Sequence, residues 1–302
     1  MNRLARIAVD DGVAYVAWLE HGGELSVRLG GRMLREVRGG RAARPVVGDW
    51  VDVSPDGIVV TIRPRRTRLA RKAAGLRDVE QVIVANVDVA FIATATDGDV
   101  NERRLERYLA IVHEGGVVPV VLLTKADVAA DLEAERARVR GVASDVEILA
   151  VSARTGMGMD DLASRIAPGS VAVLLGSSGV GKSTLVNALL GEAQQRIGAL
   201  RGDGKGRHTT TRRELFVLPN GGLLLDTPGM RELGLLDAEG GLGEAFADVS
   251  DLVARCRFRD CSHGLEPGCA VREALERGEL EPARLESWRK LTGEVQGRRP
   301  RR

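Results

Sequence analysis

The first part of the chain alternates apolar and polar residues over short stretches separated by glycine pairs. Val13–Trp18 and Leu25–Leu29 show this alternation, and Val46–Val53 and Gly57–Ile62 have the composition of further strands. A period of two predicts half-buried β-strands, and several such strands with glycine turns are typical of a small barrel. We therefore predict an N-terminal β-barrel over residues 1–72, of the OB-fold kind.

Residues 80–235 follow a different pattern, in which wholly apolar runs alternate with segments of helical spacing. The apolar runs predict strands at Val89–Thr94, Val117–Leu123, Glu147–Val151, Val171–Leu175, Leu215–Leu218 and Leu223–Leu225. Helices are predicted around Leu105–Val112 and at Asp131–Val139, Asp160–Ile166 and Ser183–Leu190. Continuous apolar strands that alternate with helices indicate a layered α/β domain. Residues 236–302 are mainly helical in pattern, so we predict a chain of three domains.

The strand Val171–Leu175 leads into a loop that fits the phosphate-loop pattern G-x-x-x-x-G-K-[S/T]. In such a loop, backbone N–H groups surround phosphate oxygens at a helix N-terminus. Lys182 would act catalytically at the β- and γ-phosphates, and the Ser183 hydroxyl would bind Mg²⁺. The residues expected to contact the nucleotide here are Gly176, Ser177, Ser178, Gly179, Val180, Gly181, Lys182, Ser183 and Thr184.

A second motif, Asp226-Thr227-Pro228-Gly229, follows the apolar strand Leu223–Leu225. At a strand end after a phosphate loop, Asp226 would hold Mg²⁺, directly or through water. The Gly229 N–H would meet the γ-phosphate, so that this loop senses whether the phosphate is present.

The segment between the phosphate loop and Asp226 is rich in glycine and threonine, and we predict that it is a switch. Its Thr210 hydroxyl is our candidate for a second side-chain ligand of Mg²⁺. Met230 follows Gly229 and cannot orient a water molecule, whereas GTPases that do so from this point use Gln. His208 is therefore the candidate for the catalytic helper.

Two further strand ends favour guanine over other bases. In Thr124-Lys125-Ala126-Asp127, the Asp127 carboxylate can accept hydrogen bonds from both N1–H and N2–H₂ of guanine, a donor pair that adenine lacks. The Lys125 stem would pack along the base, while Thr124 replaces the Asn of many GTPases and predicts weaker anchoring of the loop. Ser152 and Ala153 begin the second base loop, whose backbone N–H would contact the guanine O6.

The order of these motifs is unusual, because the base loops precede the phosphate loop and the Asp226 motif. Common small GTPases have the reverse order. We therefore predict a circularly permuted GTPase domain, a rearrangement that domains tolerate when their termini lie close together. The phosphate-sensing segments then directly precede residues 236–302.

All three cysteines fall within one short segment of the third domain, together with a histidine. Cys256, Cys261, His263 and Cys269 form a complete Cys₃His set with no ligand position left open, which predicts a structural rather than a catalytic zinc ion. An odd number of clustered cysteines also favours metal binding over disulfide bonds.

Charge and hydropathy limit the partners and the location that we predict for the protein. The net charge is only +2, so nucleic-acid binding would depend on local clusters. One is formed by Arg63, Arg65, Arg66, Arg68, Arg71 and Lys72, which is either a solvated linker or an RNA-phosphate contact. No signal-peptide core or bilayer-spanning run is present, which predicts a cytoplasmic protein with no membrane partner, and we expect a monomer.

Together these features resemble the ribosome small-subunit-dependent GTPase A family, also called YjeQ/RsgA. The permuted order, Gly176–Thr184, Gly206–Thr211, Asp226–Gly229 and the cysteine–histidine spacing carry the resemblance, which covers nearly the whole chain. It implies an OB-fold, a permuted GTPase domain and a zinc domain. It further implies GTP hydrolysis stimulated by the small ribosomal subunit during its late maturation, with His208 aiding hydrolysis.

Three alternatives remain open at the level of sequence. The protein could be an RNA-binding scaffold whose nucleotide site only stabilises the fold. It could be a permuted GTPase that serves the large subunit or a tRNA-modification system. It could also be an ATPase, in which case replacing Asp127 by Asn would leave the use of ATP intact.

Overall fold

A computed structural model of the 302-residue chain describes residues 1–12, 14–40, 43–72, 80–191, 213–226, 242–243, 245–258, 260–264 and 266–296. The described N-terminal strands are β1 (Arg3–Asp10), β2 (Tyr15–Leu19), β3 (Glu24–Leu29), β4 (Trp50–Val53) and β5 (Ile58–Ile62). They pair in the order β1-β2-β3-β5-β4, and β4 returns to pair with β1, which closes the barrel. Helix α1 (Gly31–Arg38) lies between β3 and β4 in the chain. The predicted barrel is thus confirmed.

Strand β1 was not among the strands predicted from alternation, and the structure shows why. Its last six residues are all buried, including Arg6 and Asp10, because β1 pairs with β2 and β4 of the barrel and also with a strand of the central sheet. The Arg6 guanidinium donates a hydrogen bond to the Asn86 carbonyl oxygen at 3.0 Å. Because the side chains on both faces of β1 are buried from Ala5 to Asp10, this part of the strand has no solvent-facing positions that would produce a period of two.

The central sheet continues from β1 and has the strand order β10-β9-β8-β11-β13-β12. The first five of these are parallel, and β12 is antiparallel to β13. The strands are β8 (Val89–Ala95), β9 (Val118–Thr124), β10 (Glu147–Val151), β11 (Val171–Gly176), β12 (Arg213–Val217) and β13 (Leu223–Asp226). Every predicted strand of this domain is present, with ends that differ by at most two residues.

Helices cover both faces of this sheet and complete the predicted α/β layers. The helices are α2 (Glu102–Glu114), α3 (Leu132–Arg140), α4 (Met159–Ser164) and α5 (Lys182–Leu190), with a 3₁₀ turn at Ala126–Val128. Along β8, Ile92 belongs to the hydrophobic cluster that contains Leu109 of α2, whereas Phe91 belongs to the cluster that contains Leu162 and Leu185 of α4 and α5. Strand β8 is buried on both faces, as its unbroken apolar sequence predicts.

One residue of the basic cluster, Arg65, is structural, whereas Arg63, Arg66 and Arg68 are exposed, as a solvated segment would be. Arg65 forms a pair of hydrogen bonds, each 2.8 Å, with the fully buried carboxylate of Asp49, and only 13% of its side chain is exposed. The following residues form β6 (Arg68–Lys72), which pairs with β7 (Glu80–Ala85). The buried carboxylate of Asp49 in the barrel requires a charged partner, and Arg65 supplies it. The local sequence around Arg65 does not show this requirement. An RNA contact of the cluster stays a prediction.

Among the described C-terminal residues, three helices have defined bounds: α6 (Ala247–Ala254), α7 (Ala270–Glu276) and α8 (Pro282–Gln296). Arg284 of α8 lies 2.8 Å from the buried Glu106 of α2 and packs over the ring of Phe246 at 4.1 Å. Burial raises the pKa of Glu106, and the Arg284 partner opposes that rise. The helical segment is therefore attached to the central domain by a buried ion pair. The domain limits 1–72, 80–235 and 236–302 stay predictions.

Within the described part of the chain, no helix is both long enough and apolar enough to cross a bilayer.

Candidate nucleotide site and metal centre

The phosphate loop joins β11 to α5 and depends on its glycines. Gly176, Gly179 and Gly181 have φ angles of 139°, 85° and 95°, which side-chain-bearing residues rarely adopt. A Cβ atom on Gly176 would lie only 2.4 Å from the carbonyl oxygen of Ala93 in β8. The loop therefore packs directly on the neighbouring strand, and only glycine fits there.

Lys182 is the first residue of α5, and its side chain turns back over the loop. Its Nζ donates hydrogen bonds to the carbonyl oxygens of Gly176 at 2.8 Å and Ser177 at 2.5 Å. Ser183 follows in the first turn and is exposed, as are Ser178 and Gly179 at the tip of the loop. The N-terminus of α5 presents backbone N–H groups and the positive end of the helix dipole at this loop, as an anion site requires.

The first base loop is anchored to the phosphate loop by Thr124. The buried Thr124 hydroxyl donates a hydrogen bond of 2.6 Å to the carbonyl oxygen of Val180. Thr124 therefore supplies a donor that links the two loops, and the expectation that it anchors the base loop less firmly than asparagine stays a prediction. The next residue, Lys125, adopts the left-handed conformation with φ 55°, and the Thr96 hydroxyl holds its carbonyl oxygen at 2.9 Å.

Asp127 is prepared to act as an ionised acceptor. Hydrogen bonds from the Ser152 hydroxyl and from Arg154 hold the pKa of the Asp127 carboxyl below its usual value. The Arg154 Nε lies 2.8 Å from Oδ2 of Asp127, and a second guanidinium nitrogen contacts the same oxygen. The two base loops, which lie at the ends of β9 and β10, thus meet at this carboxylate.

These loops enclose one cleft of about 570 Å³, counted to its solvent-open mouth. Its walls come from the first base loop, the second base loop and the phosphate loop with α5. The lining residues predicted from sequence are Thr124, Lys125, Asp127, Ser152, Ala153, Val180, Gly181 and Thr184. The structure therefore brings the predicted base and phosphate motifs to one side of the sheet, at the carboxyl ends of its parallel strands, where such folds bind ligands.

Sequence reasoning missed one part of the site, the loop between β8 and α2. Asp97 Oδ2 lies 2.6 Å from Nζ of Lys125, and the Ser177 hydroxyl donates to the Asp99 carboxylate at 3.0 and 3.1 Å. The available signal was the position of Asp97-Gly98-Asp99 just after the apolar strand β8. Without the strand order, nothing placed that strand between the two nucleotide motifs.

Four residues are predicted to act on the γ-phosphate side of the nucleotide. His208, Thr210 and Gly229 lie outside the described residues. Asp226 is the last residue of β13, and that strand pairs with β11, which carries the phosphate loop. Its backbone position agrees with a role beside the loop, and the assignments of all four residues stay predictions.

The four predicted metal ligands also come together. The Sγ atoms of Cys256, Cys261 and Cys269 and a ring nitrogen of His263 all lie within 4.8 Å of one another. Nδ1 of His263 is 3.6 Å from Sγ of Cys256 and 3.7 Å from Sγ of Cys269. Zinc bonds of about 2.3 Å to sulfur and about 2.0 Å to nitrogen place tetrahedral S and N ligands about 3.6 Å apart. The cluster is thus compatible with a structural zinc site.

The surroundings of the cluster suit neutral histidine and crowded thiols. Desolvation, with a smaller effect of the Arg289 charge, lowers the pKa of His263, and the Trp288 ring contacts the imidazole edge-on at 5.7 Å. Desolvation and, to a smaller extent, hydrogen bonds with Cys269 and Cys256 raise the pKa of the Cys261 thiol to about 11. Metal binding would displace these thiol protons, because the thiolate is the ligand.

A barrel, a parallel sheet whose base loops precede its phosphate loop, and a cysteine–histidine helical segment together define a circularly permuted GTPase architecture. Comparison with known proteins agrees. The RsgA GTPase family model matches residues 62–236. The small ribosomal subunit biogenesis GTPase RsgA of Methanosarcina acetivorans is 49% identical over 258 residues, which cover 83% of this chain and 70% of that protein. The protein of the same name from Opitutus terrae is 45% identical over 305 residues, or 96% and 83% of the two chains.

Two solved structures share the whole architecture. YjeQ from Thermotoga maritima superposes with a TM-score of 0.73 at 26% identity, and the match covers 99% of this chain and 100% of that one. YloQ, described as a circularly permuted GTPase, gives 0.67 at 25% identity over 100% and 98%. The chain belongs to the RsgA GTPase family. It is an enzyme, a hydrolase that acts on GTP.

Proposed function

We propose that GTP binds in the cleft described above and that its hydrolysis serves the biogenesis of the small ribosomal subunit. The observation that carries the first half is the shared lining of the cleft. Asp127 and Ser152 of the base loops and Gly181 and Thr184 of the phosphate motif face one space. The second half rests on relatives named for small-subunit biogenesis that are 45–50% identical to this chain.

Base selection falls to the two loops at the ends of β9 and β10. The Asp127 carboxylate, kept ionised by its donors, accepts from N1–H and N2–H₂ of guanine, and the Lys125 stem packs along the base. Since Arg154 occupies Oδ2 of Asp127, guanine must displace that exposed guanidinium. The Arg154 side chain is 71% exposed, so water can solvate the guanidinium once guanine has displaced it.

Hydrolysis proceeds by in-line attack of water on the γ-phosphate. Lys182 exchanges its two carbonyl partners for phosphate oxygens, and the loop amides add donors aimed at the charge that develops. Ser183, Asp226 and Thr210 are the residues that would hold Mg²⁺, which when bound neutralises charge on the β- and γ-phosphates. His208 is the proposed helper for the water molecule. With Met230 where other GTPases have Gln, intrinsic turnover is slow.

The cysteine–histidine cluster holds one zinc ion that stabilises the helical segment, and the protein acts as a monomer in the cytoplasm.

The small ribosomal subunit, through its RNA, is the partner that raises turnover. Steady-state GTP hydrolysis measured with and without purified small subunits tests this. We expect clear stimulation by small subunits and none by large subunits. Equal rates under all three conditions would count against the ribosomal role while leaving the GTPase site intact.

A further inference from the structure

The loop between β8 and α2 occupies a position that no nucleotide motif accounts for. Strand β8 lies between β9, which carries the first base loop, and β11, which carries the phosphate loop. The loop at its carboxyl end therefore falls between the two halves of the cleft. From it, Asp97 contacts the base loop at Lys125, and Asp99 contacts the phosphate loop at Ser177.

Asp99 is held firmly from behind by the start of helix α2. The Arg104 guanidinium lies 2.8 Å from Oδ2 of Asp99 and also donates to the Asp99 carbonyl oxygen at 2.5 Å. Arg104 is fixed in turn, because the Asn101 side chain caps α2 by accepting from the Arg104 backbone N–H at 2.9 Å. The carboxylate is thus attached to a helix and not to a free loop end.

Ser177 connects Asp99 to the phosphate-binding lysine. The Ser177 hydroxyl donates to the Asp99 carboxylate, while the Ser177 carbonyl oxygen accepts from Nζ of Lys182 at 2.5 Å. The orientation of this one residue therefore sets the starting position of the lysine. Asp99 itself is unsuited to bind phosphate, because like charges repel, and the Arg104 charge balances it.

We propose that Asp99 is a positioning residue for GTP hydrolysis, which fixes Ser177 and through it the phosphate loop and Lys182. The proposal rests on the function proposed for the cleft. Deleting the contact lets Ser177 rotate, so that Lys182 and the loop amides meet the γ-phosphate less accurately in the transition state. The nucleotide is still held by the base loops and by most of the loop N–H groups.

The test compares Asp99→Ala, Ser177→Ala, the double variant and Asp99→Asn in the full-length protein, by single-turnover GTP hydrolysis and GDP titration. Since a misplacement of about 1 Å can cost on the order of a hundredfold, we expect kcat to fall about tenfold in each Ala variant. The double variant falls no further, because both changes delete the same hydrogen bond. Asp99→Asn keeps an acceptor oxygen and loses much less. GDP affinity changes far less than kcat in every case.

The matched control is Asp145→Asn, which removes an exposed carboxylate before the amino end of β10, whereas the cleft lies at the carboxyl ends of the strands, and leaves kcat unchanged. The positioning role is overturned if Asp99→Ala keeps the wild-type kcat, if the two single losses multiply in the double variant, or if GDP affinity falls as much as kcat. If Asp99→Ala fails to fold, Ser177→Ala decides, and the positioning role is overturned if that variant keeps the wild-type kcat or loses GDP affinity as much as kcat. A loss of kcat in Asp99→Asn as large as in Ser177→Ala would also overturn it.

Lys182→Ala, measured in parallel, separates the two proposals. An inactive Lys182→Ala protein beside a wild-type Asp99→Ala protein means that only the positioning role fails. Wild-type hydrolysis by Lys182→Ala means that the proposed nucleotide site is wrong, and the role of Asp99 fails with it.

Discussion

In the nucleotide cleft, Thr124 bonds to Val180, a residue 56 positions further along the chain. In the metal centre, all four ligands lie between Cys256 and Cys269. The cleft therefore exists only when the parallel sheet has formed and aligned its strand ends. The cluster needs little of the chain, and a metal ion bound there would balance the negative charge of its three thiolates.

The two sites are therefore stabilised by different interactions. The hydrophobic layers on both faces of β8 and its neighbours stabilise the cleft. The metal ligands pack against one of these layers through the buried Cys269. They also have local supports in Trp288, which contacts His263, and in Arg289, which donates to the His263 carbonyl oxygen at 2.7 Å. Damage to either site should leave the other largely intact, and this can be tested from both sides.

The largest expected effect comes from Lys182→Ala. Removing the cation that meets the β- and γ-phosphates should lower GTP hydrolysis by at least about a hundredfold, the range typical for loss of one transition-state donor. The zinc content should not change. The matched control, Lys290→Ala, removes an exposed lysine of α8 and should hydrolyse GTP normally. Retained turnover in Lys182→Ala would show that the cleft is not the site of hydrolysis.

The reciprocal change is His263→Asn, which removes one of the four metal ligands. The protein should lose nearly all of its zinc, as measured by metal analysis of purified protein. The helical segment should unfold at a lower temperature, because metal binding and folding are coupled. GDP affinity should be unchanged. His21→Asn, at a histidine that is almost fully exposed, serves as the control and should keep its zinc. Normal zinc content in His263→Asn would remove this residue from the ligand set.

The smallest effect is expected for Thr124→Val, which keeps the side-chain shape but leaves the Val180 carbonyl without its donor. A buried unsatisfied polar group costs about 1–3 kcal/mol, so the free energy of unfolding by denaturant should fall by that amount and GDP should bind more weakly. Thr124→Asn retains a donor and should behave nearly as the natural protein. The exposed Thr61→Val in β5 is the control. Equal stability of Thr124→Val and the natural protein would show that the contact does not anchor the loop.

Sequence reasoning succeeded where local signals were strong. Most strands of the α/β domain contain a run of apolar residues, and Gly176 and Gly181 mark a turn that few sequences can form. The metal ligands are close enough in sequence to be recognised as a set. Both the α/β core and the two candidate sites could be predicted in this way.

The contributions that sequence reasoning missed all depend on distant partners. Asp99 becomes part of the cleft only because β8 lies beside β11 in the sheet. Arg65 becomes structural only because the buried carboxylate of Asp49 faces it. The Thr124 hydroxyl has a specific acceptor only because the fold brings the Val180 carbonyl to it. Such roles follow from strand order and burial, which a single sequence encodes but does not display.

The recognition of guanine by the Asp127 carboxylate is tested most directly by the base preference of Asp127→Asn. An asparagine offers one acceptor and one donor, so it cannot satisfy the two donors of guanine. It does match xanthine, which presents N1–H beside a carbonyl oxygen. Titration with GDP and XDP should show the natural protein preferring GDP, and the variant should prefer XDP. If Asp127→Asn keeps an undiminished preference for GDP over XDP, guanine is recognised elsewhere and the account of the cleft is contradicted.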